Sequence, residues 1–363
     1  MLEIRIFNFF AFYSYIAVYA LPAVCLPESS LHILYVALQS RGILTLSFDP
    51  SKSVQTSLEI LDTNTDAGFM PGWLKDGGDR IYSVSRTHFP TNASVSGENG
   101  IIGEASYLFK YNLSHPGPGT NGSQIQSNPH EAIFDPSGQY MFVNDRGADL
   151  IYVYHVDGPY NVTQISTVVL PPGTGPRHTT FRVFNSTRTF MYLVSELDNT
   201  VRVFSLDGVS NNLEREPTAH PQSLNIMLRQ TASTLAPGSS RTSPNDTFLA
   251  SEVALSNDGK FAYVSNRATK TLASDTLAIY SVHPNIGNDS AHLVYLGQNN
   301  TFGKIPRHFS LSPDDETRYV AVANEVSQNL GNISFGTFDV TQNLGPAAVI
   351  WDRGYDCESE WAG

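Results

Sequence analysis

Charge is scarce in this sequence. Lys, Arg, Asp and Glu make up 15% of its 363 residues, so the surface must draw on Ser, Thr, Asn and Gly. Basic residues are the scarcer kind, 22 Lys and Arg against 34 Asp and Glu, for a formal net charge of −12. No run of Lys or Arg interrupts that balance, which excludes the basic footprint that nucleic-acid phosphates require. Cysteine is limited to Cys25 and Cys357, too few to build a zinc site by themselves. Also lacking are a Gly-x-Ser-x-Gly elbow, a Walker-type phosphate loop and a His-Glu-x-x-His pair. Asp residues are scattered without the fixed spacing of a calcium loop, so no metal or other cofactor is expected.

Long apolar runs are missing after the N-terminus, where a single basic residue, Arg5, precedes an apolar, aromatic-rich stretch from Ile6 to Ala20. Val18 and Ala20 suit signal-peptidase cleavage, and the short apolar region reads as a secretory leader over residues 1–20. The alternative is an uncleaved anchor. Residues 21–363 then form one exported domain, with no membrane attachment after cleavage. Asn-x-Ser/Thr acceptors at Asn92, Asn112, Asn121, Asn161, Asn185, Asn245, Asn288, Asn299 and Asn332 support a secretory route. An oxidising compartment permits a Cys25–Cys357 bridge between the two ends, the alternative being two free thiols in the tails.

What the chain has in quantity is repetition. An apolar strand, a turn, an aromatic strand and a further apolar strand recur from Phe134, Phe181, Val253 and Phe309. Asp-Pro-Ser-Gly and Asn-Asp-Gly supply tight hairpins, because Gly takes positive φ and Asp or Asn caps the turn. Weaker copies occupy residues 31–48 and 73–113. Such strands cannot bury a face alone and must stack as blades about an axis, which predicts an all-β fold, a single β-propeller with six blades visible. Residues 87–105 and 215–246 read as loop insertions. The run at residues 344–352 lacks partners of its own and is expected to pair with the blade begun by residues 31–50, closing the ring by joining the two ends.

Aligning the repeats on their aromatic strands places Arg86, Arg146, Glu196, Arg267 and Glu325 at one position. Five charges at one blade position form a ring at the channel rim, suited to an anionic or oxygen-rich ligand. An ion-pair belt between blades is the structural alternative. His130 follows Pro129, and Pro-Arg-His occurs at Pro176–His178 and again at Pro306–His308. Proline restrains these segments, so His130, Arg177, His178 and Arg307 are expected at the channel mouth.

The motifs Asn128–Asp145, Gly175–Phe181, Tyr192–Val201, Ser251–Arg267 and Ile305–Asp314 together resemble the seven-bladed lactonase family. That family includes bacterial 6-phosphogluconolactonases, carboxy-cis,cis-muconate cyclases and secreted fungal aldonolactonases, and the resemblance spans residues 31–352. It implies a seventh blade and an active site of His130, Arg177, Glu196 and Arg267. Arg86, His178, Arg307 and Glu325 are the accompanying substrate-binding candidates. The presence of Arg86 and Arg307 leans toward the lactonase branch. Departures are Ala254 where relatives often carry His, Arg146 where Leu is usual, and a weak or absent blade between Arg86 and His130.

The function expected is therefore a secreted, monomeric lactonase opening a sugar lactone. Glu196 or His130 would act as base, with Arg177 and Arg267 on the developing oxyanion. A cycloisomerase acting on an unsaturated carboxylate would use the same groups. A propeller that only binds a ligand or protein is the third reading.

Overall fold

Runs such as Tyr140–Asp145 and Arg188–Ser195 are apolar on both sides of the strand, which suits a sheet covered on both faces. In the computed structural model they lie inside such sheets. The structure describes residues 18–20, 32–38, 42–48, 58–65, 71–76, 80–85, 89–95, 101–119, 122–157, 161–207, 224–238, 248–267, 274–284, 291–311, 319–324, 329–334 and 340–342. These form six four-stranded sheets, each an antiparallel meander of four consecutive strands. The sheets begin with the strands Val18–Ala20, Pro71–Asp76, Pro129–Phe134, Pro176–Asn185, Leu249–Leu255 and Pro306–Leu311. We number them one to six. Each packs on the next in chain order.

Alternation along the strands divides the core between neighbouring sheets. Tyr140 and Phe142 of sheet three meet Met191 and Leu193 of sheet four. On the opposite face of sheet four, Phe190, Tyr192 and Val194 meet Ala250, Val253 and Val264 of sheet five. Tyr263 and Leu277 then meet Phe309, Val320 and Val322 of sheet six. Removing a ring such as Phe142 from this core would cost about 3–5 kcal/mol.

A repeated clasp ties each sheet to the next. The residue before the third strand of sheets three, four and five is Asp149, Asn199 or Asp275. Its carbonyl accepts the amide of Leu170, Thr234 or Thr301, which follows the outermost strand. Its side chain accepts an amide where the chain enters the next sheet. Asp149 takes those of Gly173 and Gly175 at 2.7 and 2.6 Å, Asn199 that of Ala250, and Asp275 that of Ile305. Asp149 and Asn199 adopt φ of 57° and 54°, a left-handed conformation that Asn and Asp tolerate best after glycine.

Several sequence expectations change. Residues 87–105 are no inserted loop: Phe89–Val95 and Ile102–Leu108 are the outer strands of sheet two. The polar composition hid an outer hairpin, whose solvent face needs no apolar residues. Likewise Asn225–Ser233, inside the segment 215–246, is the outermost strand of sheet four. Sheet two is complete and packs directly on sheet three, so no blade is missing between Arg86 and His130. The free side of His32–Leu38 is taken by Val18–Ala20, paired with Leu34–Val36, rather than by residues 344–352, which lie outside the described residues. The seventh blade is not among the six sheets described.

The clasp predicts a specific stability loss. Asp149→Ala strands two inward amides and should cost about 2–4 kcal/mol in urea unfolding, with Asp149→Asn in between. Unchanged stability in both variants would refute the clasp.

Candidate active site

The first strand of a sheet places the functional side chains, and a bulge in it does the aiming. Pro129 pairs with Asp145 and Glu131 with Asn144, leaving His130 extra in the ladder. Pro176 pairs with Ser195 and His178 with Val194, leaving Arg177 extra; Arg307 is extra in the same way. In sheet five, Ser251 and Glu252 share the register space opposite Ser265. A bulge re-aims its side chain out of the ladder, so sheets three, four and six turn His130, Arg177 and Arg307 aside at the same level, while the extra residue of sheet two is Gly72.

The ring position comes from the turn after the second strand. The amide of Arg146 donates to Asn128 O at 3.0 Å and that of Glu196 to Gly175 O at 2.7 Å. Each accepting residue immediately precedes the proline that opens the first strand. Ring residue and bulge residue are thereby brought to one end of the sheet.

Glu196 is the centre of the result. Its Oε2 accepts from Arg177 Nε at 3.0 Å and lies 2.9 Å from Arg267 Nη2, while Oε1 lies 2.8 Å from Arg146 Nη2. The cations come from sheets three, four and five. Burial alone would raise the Glu196 carboxyl, but Arg267, Arg146 and Arg177 outweigh it and lower it to about 2. Burial and Arg267 lower Arg177 to about 10, so it keeps its charge at neutral pH.

Three guanidiniums on one carboxylate leave donors over. Arg177, with a side chain 1% exposed, is fully engaged through Nε on Glu196 and Nη1 on Ser251 O at 2.5 Å. Arg146 is the most accessible at 16%. Among the described residues its buried Nε has no hydrogen-bond partner, and neither do Nε and Nη2 of Arg267. The Arg267 Nη2 contact with Glu196 is thus one of charge, its N–H not being aimed at the oxygen.

Beside these cations stands His130, its buried Nδ1 also unpartnered among the described residues. Burial, then Arg177, His178, Arg146 and Arg267, push its imidazole well below the usual histidine range, so it is neutral at pH 7. Its ring meets that of His178 edge-on, centroids 4.9 Å apart. Burial and Arg177 lower His178 to about 4. Nδ1 of His178 and Nδ1 of His308 lie 2.9 and 2.7 Å from the same oxygen, Oε2 of Glu252. Burial would raise Glu252, but these histidine contacts outweigh it and keep the carboxyl low and ionised. Burial and the nearby Glu252 push Glu131 well above the usual carboxylate range. Asn144 Nδ2 connects Glu131 to Thr179 Oγ1, both at 2.8 Å.

The structure thus brings together His130, Arg177, His178, Glu196 and Arg267. Arg307 is half-buried on the first strand of sheet six, its carbonyl accepting from Ser251 Oγ at 2.8 Å. Arg86, Glu325, Cys25 and Cys357 lie outside the described residues. Of the glycosylation candidates, Asn112, Asn161, Asn185 and Asn299 are exposed, and Asn92 and Asn332 lie on strands. Asn121, Asn245 and Asn288 are outside the described residues. Arg146 is a full member of the cluster, although it departs from the family pattern. Glu131 and Glu252 were missed as functional residues; the signal was their place beside the bulge, in Pro-His-Glu and Ser-Glu-Val. Among the described residues no three His, Cys, Asp or Glu side chains are grouped to hold a metal ion.

Residues 97–340 match the family described as Lactonase, 7-bladed beta-propeller. The chain belongs to that family. A probable 6-phosphogluconolactonase of Arthroderma benhamiae is 25% identical over 331 residues, covering 78% of this chain and 77% of its own. A 6-phosphogluconolactonase of Formosa agariphila is 27% identical over 279 residues, covering 75% and 69%. Among solved structures, the periplasmic gluconolactonase PpgL of Pseudomonas aeruginosa superposes with a TM-score of 0.67 at 22% identity, covering 86% and 83%. That likeness establishes the lactonase propeller as the fold.

The charge balance at Glu196 is directly testable. Glu196→Gln leaves three guanidiniums uncompensated and should destabilise the lactonase fold by about 3–5 kcal/mol at pH 7. The Glu196 carboxyl is lower folded than unfolded, so its stabilisation is complete above about pH 4.5 and is lost as pH falls toward 2. The gap between wild type and variant in urea unfolding should therefore narrow over that window. A gap independent of pH would contradict the assignment.

Proposed function

We propose that this lactonase-type enzyme is secreted, works as a monomer and hydrolyses an aldonolactone, with His130 as general base. One observation carries the reading: buried guanidinium N–H groups of Arg146 and Arg267 stand unsatisfied beside a neutral histidine. Structural ion pairs need no surplus donors. A reaction that develops an oxyanion and ends in a carboxylate uses them.

In this reading His130 takes a proton from water as the water oxygen bonds to the lactone carbonyl carbon. The carbonyl oxygen becomes an oxyanion and accepts from Arg267 and Arg146. When the ring C–O bond breaks, His130 returns the proton to the departing alkoxide, and the new carboxylic acid releases its own proton to solvent, leaving a carboxylate among the arginines. Glu196, the other candidate base, is too acidic at about 2 to take a proton near neutral pH. Its part is to hold the arginines together. Arg177, already committed to Glu196 and Ser251, keeps the cluster in place. Secretion fits a substrate released outside the cell. Cleavage after Ala20 would remove Val18–Ala20 from the side of His32–Leu38 and leave that place to residues 344–352.

Incubating the purified protein with gluconolactone, and separately with carboxymuconate, tests the activity. Lactone opening is expected, falling at least about 100-fold in His130→Asn with the fold intact. Because the native ring resists protonation, kcat/KM should stay level well below pH 6.5. Conversion of carboxymuconate without lactone hydrolysis would favour the cycloisomerase instead. If neither compound reacts, the binding propeller gains.

A further inference from the structure

Glu252 lies outside the His130, Arg177, Glu196 and Arg267 set, yet it ties as many sheets together at this level as Glu196 does. It sits in the bulge of sheet five, 5% exposed. Its Oε2 contacts His178 of sheet four and His308 of sheet six, so one oxygen joins the first strands of three consecutive sheets.

An ionised carboxylate can only accept, so the two Nδ1 atoms facing it must both carry hydrogen. That choice fixes the tautomer of His178, since a neutral ring protonated at Nδ1 has its lone pair at Nε2. Arg177 Nη1 lies 3.0 Å from Nδ1 and 3.3 Å from Nε2 of that ring. Within reach of both ring nitrogens, this guanidinium nitrogen stands against the face of the imidazole rather than in line with either of them. The same Nη1 donates to the carbonyl of Ser251, the neighbour of Glu252. The His178 ring also forms the wall against which His130 packs edge-on. Glu252 thus faces both halves of the site through a single imidazole.

We infer that Glu252 is a positioning residue for the reaction, fixing the tautomer of His178 and, through that ring, the placement of Arg177 and His130. The inference rests on the lactonase reading for its kinetic consequence, but not for its structural one. The opposite tautomer would turn a lone pair toward the carboxylate, and the two would repel. In Glu252→Gln the carboxamide offers an N–H as well as an oxygen, so His178 is free to take either tautomer.

Two measurements on the full-length protein test this. Nitrogen NMR of labelled histidines, assigned with His178→Asn, should show His178 as one neutral Nδ1–H tautomer in wild type and a mixture in Glu252→Gln. His308→Asn, which leaves the Glu252–His178 bond in place, should keep the single tautomer. In gluconolactone hydrolysis Glu252→Gln should lower kcat about 10- to 100-fold, as when the outer partner of a functional histidine is removed, with a smaller change in KM. An unchanged tautomer in Glu252→Gln would overturn the inference, as would a mixed tautomer with full turnover, which would leave Glu252 a purely structural tie. Wild-type protein inert on lactones would sink the lactonase reading instead. The tautomer arm would then still decide whether Glu252 fixes His178.

Discussion

Three guanidiniums meet one carboxylate at Glu196, and the central site depends on that imbalance. Each cation arrives from a different part of the chain: Arg146 from the turn of sheet three, Arg177 from the bulge of sheet four, Arg267 from a strand end in sheet five. Desolvating a guanidinium is costly unless it is paired and hydrogen-bonded. The sheets can close on this cluster only because Glu196 is there, and because Ser251 O takes a further donor from Arg177. Other donors remain without partners. An arrangement optimised for stability alone would replace such groups with apolar ones; surplus donors held in place suit an incoming anion.

Those charges can be held so firmly because the framework around them is repetitive. Sheets three and four share three devices: a proline that opens the first strand, a bulge directly after it, and a ring residue whose amide caps the carbonyl before that proline. Sheet six repeats the proline and the bulge. Sheet three fills the bulge with His130, sheet four with Arg177 and sheet six with Arg307. Backbone geometry is shared, and chemistry is set by which side chain occupies the slot. One lattice of hydrogen bonds can therefore present a base, a cation or an acid at the same depth.

Much of this was legible in the sequence because repetition and hydrophobic alternation are local signals. The aromatic strands gave the register, and counting from them found Arg146, Glu196 and Arg267, which do converge. Pro-Arg-His and Pro-His marked the bulges without revealing them, since a bulge is a property of strand pairing rather than of residue type. The outer strands at Phe89–Val95 and Asn225–Ser233 were read as loops. An outermost strand has one face in solvent, as in Asn225–Ser233 where every position is half-buried or exposed, so its apolar signal is weaker than that of an inner strand. Burial was equally hidden: Glu131, Glu196 and Glu252 are all carboxylates in apolar-looking contexts, and only their neighbours separate them.

Those neighbours sort three buried acids into two states. Glu196 faces arginines and is ionised; Glu252 faces two imidazole N–H groups and is ionised; Glu131 has no cation in contact among the described residues, and burial, then Glu252, push it toward its neutral form. Had Glu131 also been ionised, its charge would have opposed that of Glu252 within the same buried wall. Asn144 bridges Glu131 to Thr179 and reaches the carbonyl of Arg177 at 3.3 Å, and the neutral form of Glu131 adds no negative charge beside the arginines. The positive surplus of the arginine cluster is thereby preserved rather than cancelled from behind. Neutral histidines follow from burial first and then from the same surplus, since a protonated His130 or His178 would add charge beside Arg177. The field that disposes the site toward an anion is also one that keeps its imidazoles neutral.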